Sequence, residues 1–180
     1  PEKGPLGGSA MPPFSGMFNT AEFNGPPAPW SPTEHPEWEE AYNIAAPYLA
    51  KYTEAAAHPN YVRPLLMSQD SPDGQTAQDG ETSKLLIGIL LPDLSAHRAL
   101  AKQTLSDAWR APDGKPDPQV MIDAFGTCLS SANHLGNSDI LIERLVSIAE
   151  KGLVERNARY ALQQGVFSPD EMEGVLEVLI

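Results

Sequence analysis

From Pro36 onward, apolar residues recur every three or four positions. In HPEWEEAYNIAAPYLAKYTEAAAH, Trp38, Tyr42, Ala45, Leu49, Tyr52 and Ala56 step by four and three along one helical face. Pro36 suits the first helical position, and Glu37, Glu39 and Glu40 complement the positive end of the helix dipole. This acidic face reads as solvated rather than as a carboxylate metal site. Pro47 predicts a kink, because it lacks a donor and crowds the preceding turn. YVRPLLMS is compatible with a further short turn, and Ser68–Ser83 is a polar, glycine-bearing loop.

KLLIGILL, residues 84–91, is a continuous apolar run that periodicity leaves open between helix and strand; its surroundings favour a buried helix. DLSAHRALAKQTLSDAWR reads as a separate helix capped by Asp93, with Leu94, His97, Ala101, Leu105 and Ala108 on its inner face. His97 is expected there as a hydrogen-bonded residue at the core edge rather than a ligand. In APDGKPDP, Pro-Asp-Gly turns the chain, Asp117 caps the next helix and Pro118 opens it. That helix carries Met121, Phe125, Cys128, Leu129 and Ala132 on one face, and Gly136 is expected to end it in the left-handed conformation.

NSDILIERLVSIAEKG predicts a further helix ending at Gly152, with Leu141, Leu145 and Ile148 inward. LVERNARYALQQG predicts another, ending at Gly165. FSPDEM has the form of a capping box: Ser168 caps, Pro169 opens, Glu171 reaches back, and Phe167 with Met172 form a hydrophobic staple. Met172, Val175, Leu176 and Leu179 then share a face. The fold class is all-α, a bundle of about five to seven short helices over residues 36–180.

Residues 1–35 form a different kind of segment. Nine of the eighteen prolines fall in the first thirty-six residues, with Gly4, Gly7, Gly8, Gly16 and Gly25 among them. Proline removes donors and glycine raises the entropy of ordering, so an extended arm is expected here, neither helix nor central strand. Spaced aromatic residues along it, Phe14, Phe18, Phe23 and Trp30, are candidate partner-binding anchors, as are the apolar Leu179 and Ile180 at the other end. The opening PEKGPLGG lacks the basic start and apolar middle of an export signal. Its Pro1 fits removal of an initiator Met, and GPLGGSAM also has the composition of a cloning remnant.

The net charge is −12, from 12 Lys and Arg against 24 Asp and Glu. Such acidity disfavours direct contact with nucleic-acid phosphates or anionic lipid, and favours basic partners or solubility. No apolar run approaches the length of a bilayer span, so no membrane insertion is expected. One cysteine excludes an internal disulfide and a multi-thiolate metal site.

Cys128 and His134 in FGTCLSSANHLGNSD are the one pairing that suggests nucleophilic chemistry. Six residues turn a helix through about 600°, which leaves the two side chains about 120° apart. Cys128 lies on the apolar stripe, where burial raises a thiol pKa, and His134 suits the last helical turn. Both are expected to be structural. CLSSANH and ALQQGVFSPDEM resemble parts of the motifs of the helical peroxidase and carboxymuconolactone-decarboxylase group, in which a two-cysteine helix precedes a histidine. Ser131 stands in the place of the second redox cysteine and the histidine spacing differs, so the chain is not assigned to that group. No phosphate loop, HExxH, calcium loop or nucleophile elbow occurs. A helix-turn-helix over LIERLVSIAEKGLVERNARYALQQG, with Arg156 and Arg159 toward DNA, is disfavoured by the acidity.

The expectation is therefore a non-catalytic structural or accessory subunit that docks into a larger assembly, a minor virion or capsid-associated protein being one example. The arm would lie along neighbouring subunits. No catalytic, cofactor-binding or metal-binding residue is assigned, and the location expected is cytoplasmic or virion-associated. A soluble acidic effector or inhibitor that captures a basic partner is the first alternative. A small helical enzyme using Cys128 is the second.

Overall fold

The computed structural model describes residues 29–59 and 82–179, excepting the side chains of 82–93. Within them the chain forms five helices and no strand: α1 (Pro36–Ala57), α2 (Thr82–Asp107), α3 (Pro118–Gly136), α4 (Leu141–Gln163) and α5 (Pro169–Leu179). The expected all-α architecture is the one observed. Helix α3 is central and packs against each of the other four. Its apolar stripe explains why: Met121, Phe125, Cys128, Ala132 and Leu135 are all buried. With Leu105, Trp109, Val154 and Ala158 from neighbouring elements, most of these make up the core.

Local signals at helix ends behave as their chemistry dictates. The Asp117 carboxylate accepts from the backbone N–H of Gln119 (2.9 Å) and Val120 (3.4 Å), and Pro118 follows it. Gly165 adopts φ +64 just beyond α4, the left-handed conformation that ends helices at glycine. At the start of α5, Ser168 N–H donates to Glu171 Oε2 (2.7 Å) and Glu171 N–H donates to Ser168 Oγ (3.4 Å). Replacing Ser168 with Ala removes one half of this reciprocal cap and is expected to cost about 1 kcal/mol. A chemical-denaturation midpoint unchanged in Ser168→Ala would show that the cap does not stabilise the fold.

Four expectations are corrected. Helix α2 runs unbroken through Pro92, so Asp93 lies inside it rather than capping a separate helix. Proline's fixed φ is itself helical, and the turns that follow bury Leu94, Ala101 and Leu105 against the bundle. Gly136 ends α3 as expected, but not in the left-handed conformation, and the cap residue Asn137 that follows is right-handed. The role of Gly136 is close approach, since a Cβ there would lie 2.9 Å from Ser147 Oγ on α4. Gly152 does not end a helix either, and the two segments predicted on either side of it are the single helix α4.

The fourth correction concerns which face of α4 points inward. Leu141, Leu145 and Ile148 were expected inside; they are 71%, 54% and 67% exposed, while Glu143, Ser147 and Glu150 are 2%, 2% and 1% exposed. The physical reason lies on the opposite stripe. Ser147, Val154, Ala158 and Ala161 also recur at helical spacing, and these small side chains let α4 lie close against α3. Larger leucines on that side would hold the two helices apart.

Candidate functional site

Of the candidate anchors, Phe14, Phe18, Phe23 and Ile180 lie outside the described residues. Trp30 is placed, and it does not face outward. It is buried; its Nε1 donates to Ser106 O (3.0 Å), and its ring meets Trp38 edge-on at 5.9 Å. Its backbone pairs with the turn after α2, through Trp30 N–H to Trp109 O (3.1 Å) and Ala111 N–H to Trp30 O (2.8 Å). An indole with its N–H satisfied inside its own core is an intramolecular anchor, which corrects the partner-binding role expected for Trp30. Leu179, 38% exposed, lies on the outer side of α5 beside the exposed Leu176.

The residues considered for nucleophilic chemistry face different neighbours. Cys128 is fully buried, with its thiol toward Ala101 O of α2 (3.7 Å). His134 meets His58 O at the end of α1 (2.9 Å) through Nε2. His97 sits at the core edge as expected, bonded to Ser131 Oγ (3.2 Å) and edge-on to the Tyr52 ring. Burial, followed by the nearby Glu150 carboxylate, raises the Cys128 thiol far above its ordinary range. Native Cys128 is therefore expected to react with a thiol reagent at neutral pH at least about a hundredfold more slowly than in the denatured chain. Comparable rates in the two states would overturn this structural assignment.

Sequence reasoning missed the ionisable members of this interior. Tyr52 OH and both oxygens of Glu150 are buried without a hydrogen-bond partner. The hydroxyl lies near Ser131 and Cys128 but in bonding geometry with neither. Burial pushes Glu150 up to about 7, against a weaker downward pull from Arg98. The signal in the sequence was the spacing of Glu150 with Ser147, Val154 and Ala158 on one stripe, overshadowed by the stronger apolar stripe opposite.

A cleft of about 480 Å³ opens between α1, α2 and α3, lined by Tyr42, Thr104, Asp107, Arg110, Asp117 and Asp123 among others. Its one cation is already committed. The Arg110 guanidinium makes a two-pronged ion pair with Glu39 (2.7 and 2.8 Å) and stacks over the Tyr42 ring. Glu39 was expected on a solvated face; instead its carboxyl is held below its usual range by Arg110. Burial raises Asp107 to about 7, and its Oδ1 accepts from Gln103 Nε2 (2.6 Å). Among the described residues, no group of three His, Cys, Asp or Glu is placed to hold a metal ion.

The outer face of α4 is the remaining candidate. Leu141, Leu145 and Ile148 follow a four-three spacing, and the exposed charged residues around and beyond them are Arg144, Lys151, Glu155, Arg156 and Arg159. Four of the chain's twelve Lys and Arg thus lie on one side of one helix. The other two acids of α4, Glu143 and Glu150, are turned inward. The result is an apolar stripe with a basic border on a strongly acidic chain. No described helix is long and apolar enough to cross a membrane. No family model, curated protein or solved structure matches the chain.

Proposed function

We propose that this protein is a non-catalytic docking subunit that joins a larger assembly through the outer face of α4. The observation that carries the proposal is the inversion of that helix: three large aliphatic residues exposed, three polar ones buried. Burying such side chains is worth roughly 1.5–3 kcal/mol each, so leaving all three in water forgoes a substantial stabilisation that a partner can recover. The basic border favours an acidic partner over the basic one that overall charge alone suggested. Against a nucleophilic enzyme stand the raised Cys128 thiol and the separate engagements of Cys128 and His134.

The test is native mass in extracts of the source organism. The wild-type chain is expected in a species well above 19.4 kDa. A Leu145→Asp, Ile148→Asp double variant, with unchanged helical circular dichroism, is expected to elute as the free chain. Equal elution of the two proteins would overturn the proposal.

A further inference from the structure

The outer surfaces of α4 and α5 complement each other. Helix α5 exposes Leu176 and Leu179, and its exposed charges are Asp170, Glu173 and Glu177, with no base on the helix. Helix α4 exposes Leu141, Leu145 and Ile148, with Arg144, Lys151, Arg156 and Arg159 against the single exposed acid Glu155. Glu155 is occupied by Arg159, and Arg144 lies near Asp139. Lys151 and Arg156 form no ion pair with any described residue. Each helix therefore presents an apolar stripe, one with a basic border and the other with an acidic one.

These two surfaces are not spent on each other within the chain. Both helices pack on α3, and α4 and α5 share no substantial contact. We infer that the outer face of α4 docks against the outer face of α5 from a second copy of this chain. This inference rests on the docking role proposed above and names its partner. Aliphatic contact between Leu145 and Ile148 on one side and Leu176 and Leu179 on the other would supply the attraction. Lys151 and Arg156 opposite Glu173 and Glu177 would set orientation and exclude wrong partners. Related by a twofold axis, α4 of each copy meets α5 of the other, so the contact occurs twice, the interface as a whole is isologous and it closes a dimer.

The experiment uses the purified full-length chain and light scattering coupled to size exclusion. At about 100 μM in low salt, the mass is expected to rise above 19.4 kDa. Raising salt from about 0.05 M to about 0.5 M shortens electrostatic range to a few ångströms and should weaken association. Lys151→Glu with Arg156→Glu should weaken it at least about tenfold, and so should Glu173→Lys with Glu177→Lys. An equimolar mixture of the two variants should recover hetero-association, because the reversed pairs match again.

A chain that remains at 19.4 kDa under all conditions overturns the inference. So does association that is lost in Leu145→Asp, Ile148→Asp but indifferent to the α5 reversals; that result leaves α4 as a docking face for another occupant. Binding of the α4 face to anionic vesicles, with no self-association, equally overturns it. Association indifferent to the α4 substitutions, combined with unchanged native mass in extracts, removes both the inference and the docking role beneath it.

Discussion

Replacing Trp109 with Ala is expected to remove about 3–5 kcal/mol of folding stability, the range for deleting a buried aromatic side chain. Trp109 is fully buried where α2 meets α4. Its Nε1 donates to Asn157 Oδ1 (3.0 Å), and its ring lies against Tyr160 with centroids 5.3 Å apart. Its backbone carbonyl receives the Trp30 N–H, so the same residue ties the segment before α1 to the bundle. Domains have net stabilities of about 5–15 kcal/mol, so this one change consumes a large share. Trp109→Phe should fall between wild type and Ala, since it keeps much of the volume but leaves Asn157 Oδ1 without its donor. Urea denaturation measures both. A loss below about 1 kcal/mol in Trp109→Ala would mean that the centre of this core is elsewhere.

The second large effect is a dependence on pH opposite to ordinary acid denaturation. Burial raises Glu150 to about 7 from its ordinary 4.5, and Asp107 to about 7 from 3.8. A carboxyl with a raised pKa binds its proton more tightly in the folded state, so stability declines as pH rises from the unfolded toward the folded value. For Glu150 the difference corresponds to about 3 kcal/mol lost between pH of about 4.5 and about 7. Glu39 and Glu171 are shifted downward and act with the opposite sign, losing stabilisation only as pH falls below the ordinary carboxylate range.

The chain is thus expected to resist urea better near pH 5.5 than near pH 8. Glu150→Gln keeps the shape and removes the buried charge, so it should stabilise at pH 8 and flatten the slope between the two conditions. Asp107 accounts for the slope that remains. A Glu150→Gln variant less stable than wild type at pH 8 would show that the ionised carboxylate has a partner worth more than its desolvation cost.

Local chemistry was the most legible part of the fold. Capping at Asp117 and Ser168, the turn at Gly114 and the helix end at Gly165 depend on a few adjacent residues, and each is where the sequence places it. The apolar stripe of α3 was equally readable, because a central helix buries its hydrophobic face whichever neighbours cover it. His97 belongs with these, since a histidine on the inner face of α2 reaches the core edge, where it bonds to Ser131 of α3. Pro92 and Gly152 show where local rules fail. Each weakens a helix by a finite amount, and packing over the neighbouring turns exceeds that amount.

By itself, then, the sequence determined an acidic, all-α chain, the helical periods and most of the helix ends, because these arise from contacts between near neighbours along the chain. Only the tertiary structure decided the orientation of α4, the burial of Trp30 and Glu150, and the pairing of Glu39 with Arg110. Periodicity defines a stripe but carries no information about what lies across from it. Helix α4 has two stripes, one large and apolar, the other small and mixed, and the inward one was selected by how closely α3 could approach at Gly136 and Ser147. The steric fit between two helices is a property of the pair, and neither helix's sequence states it alone.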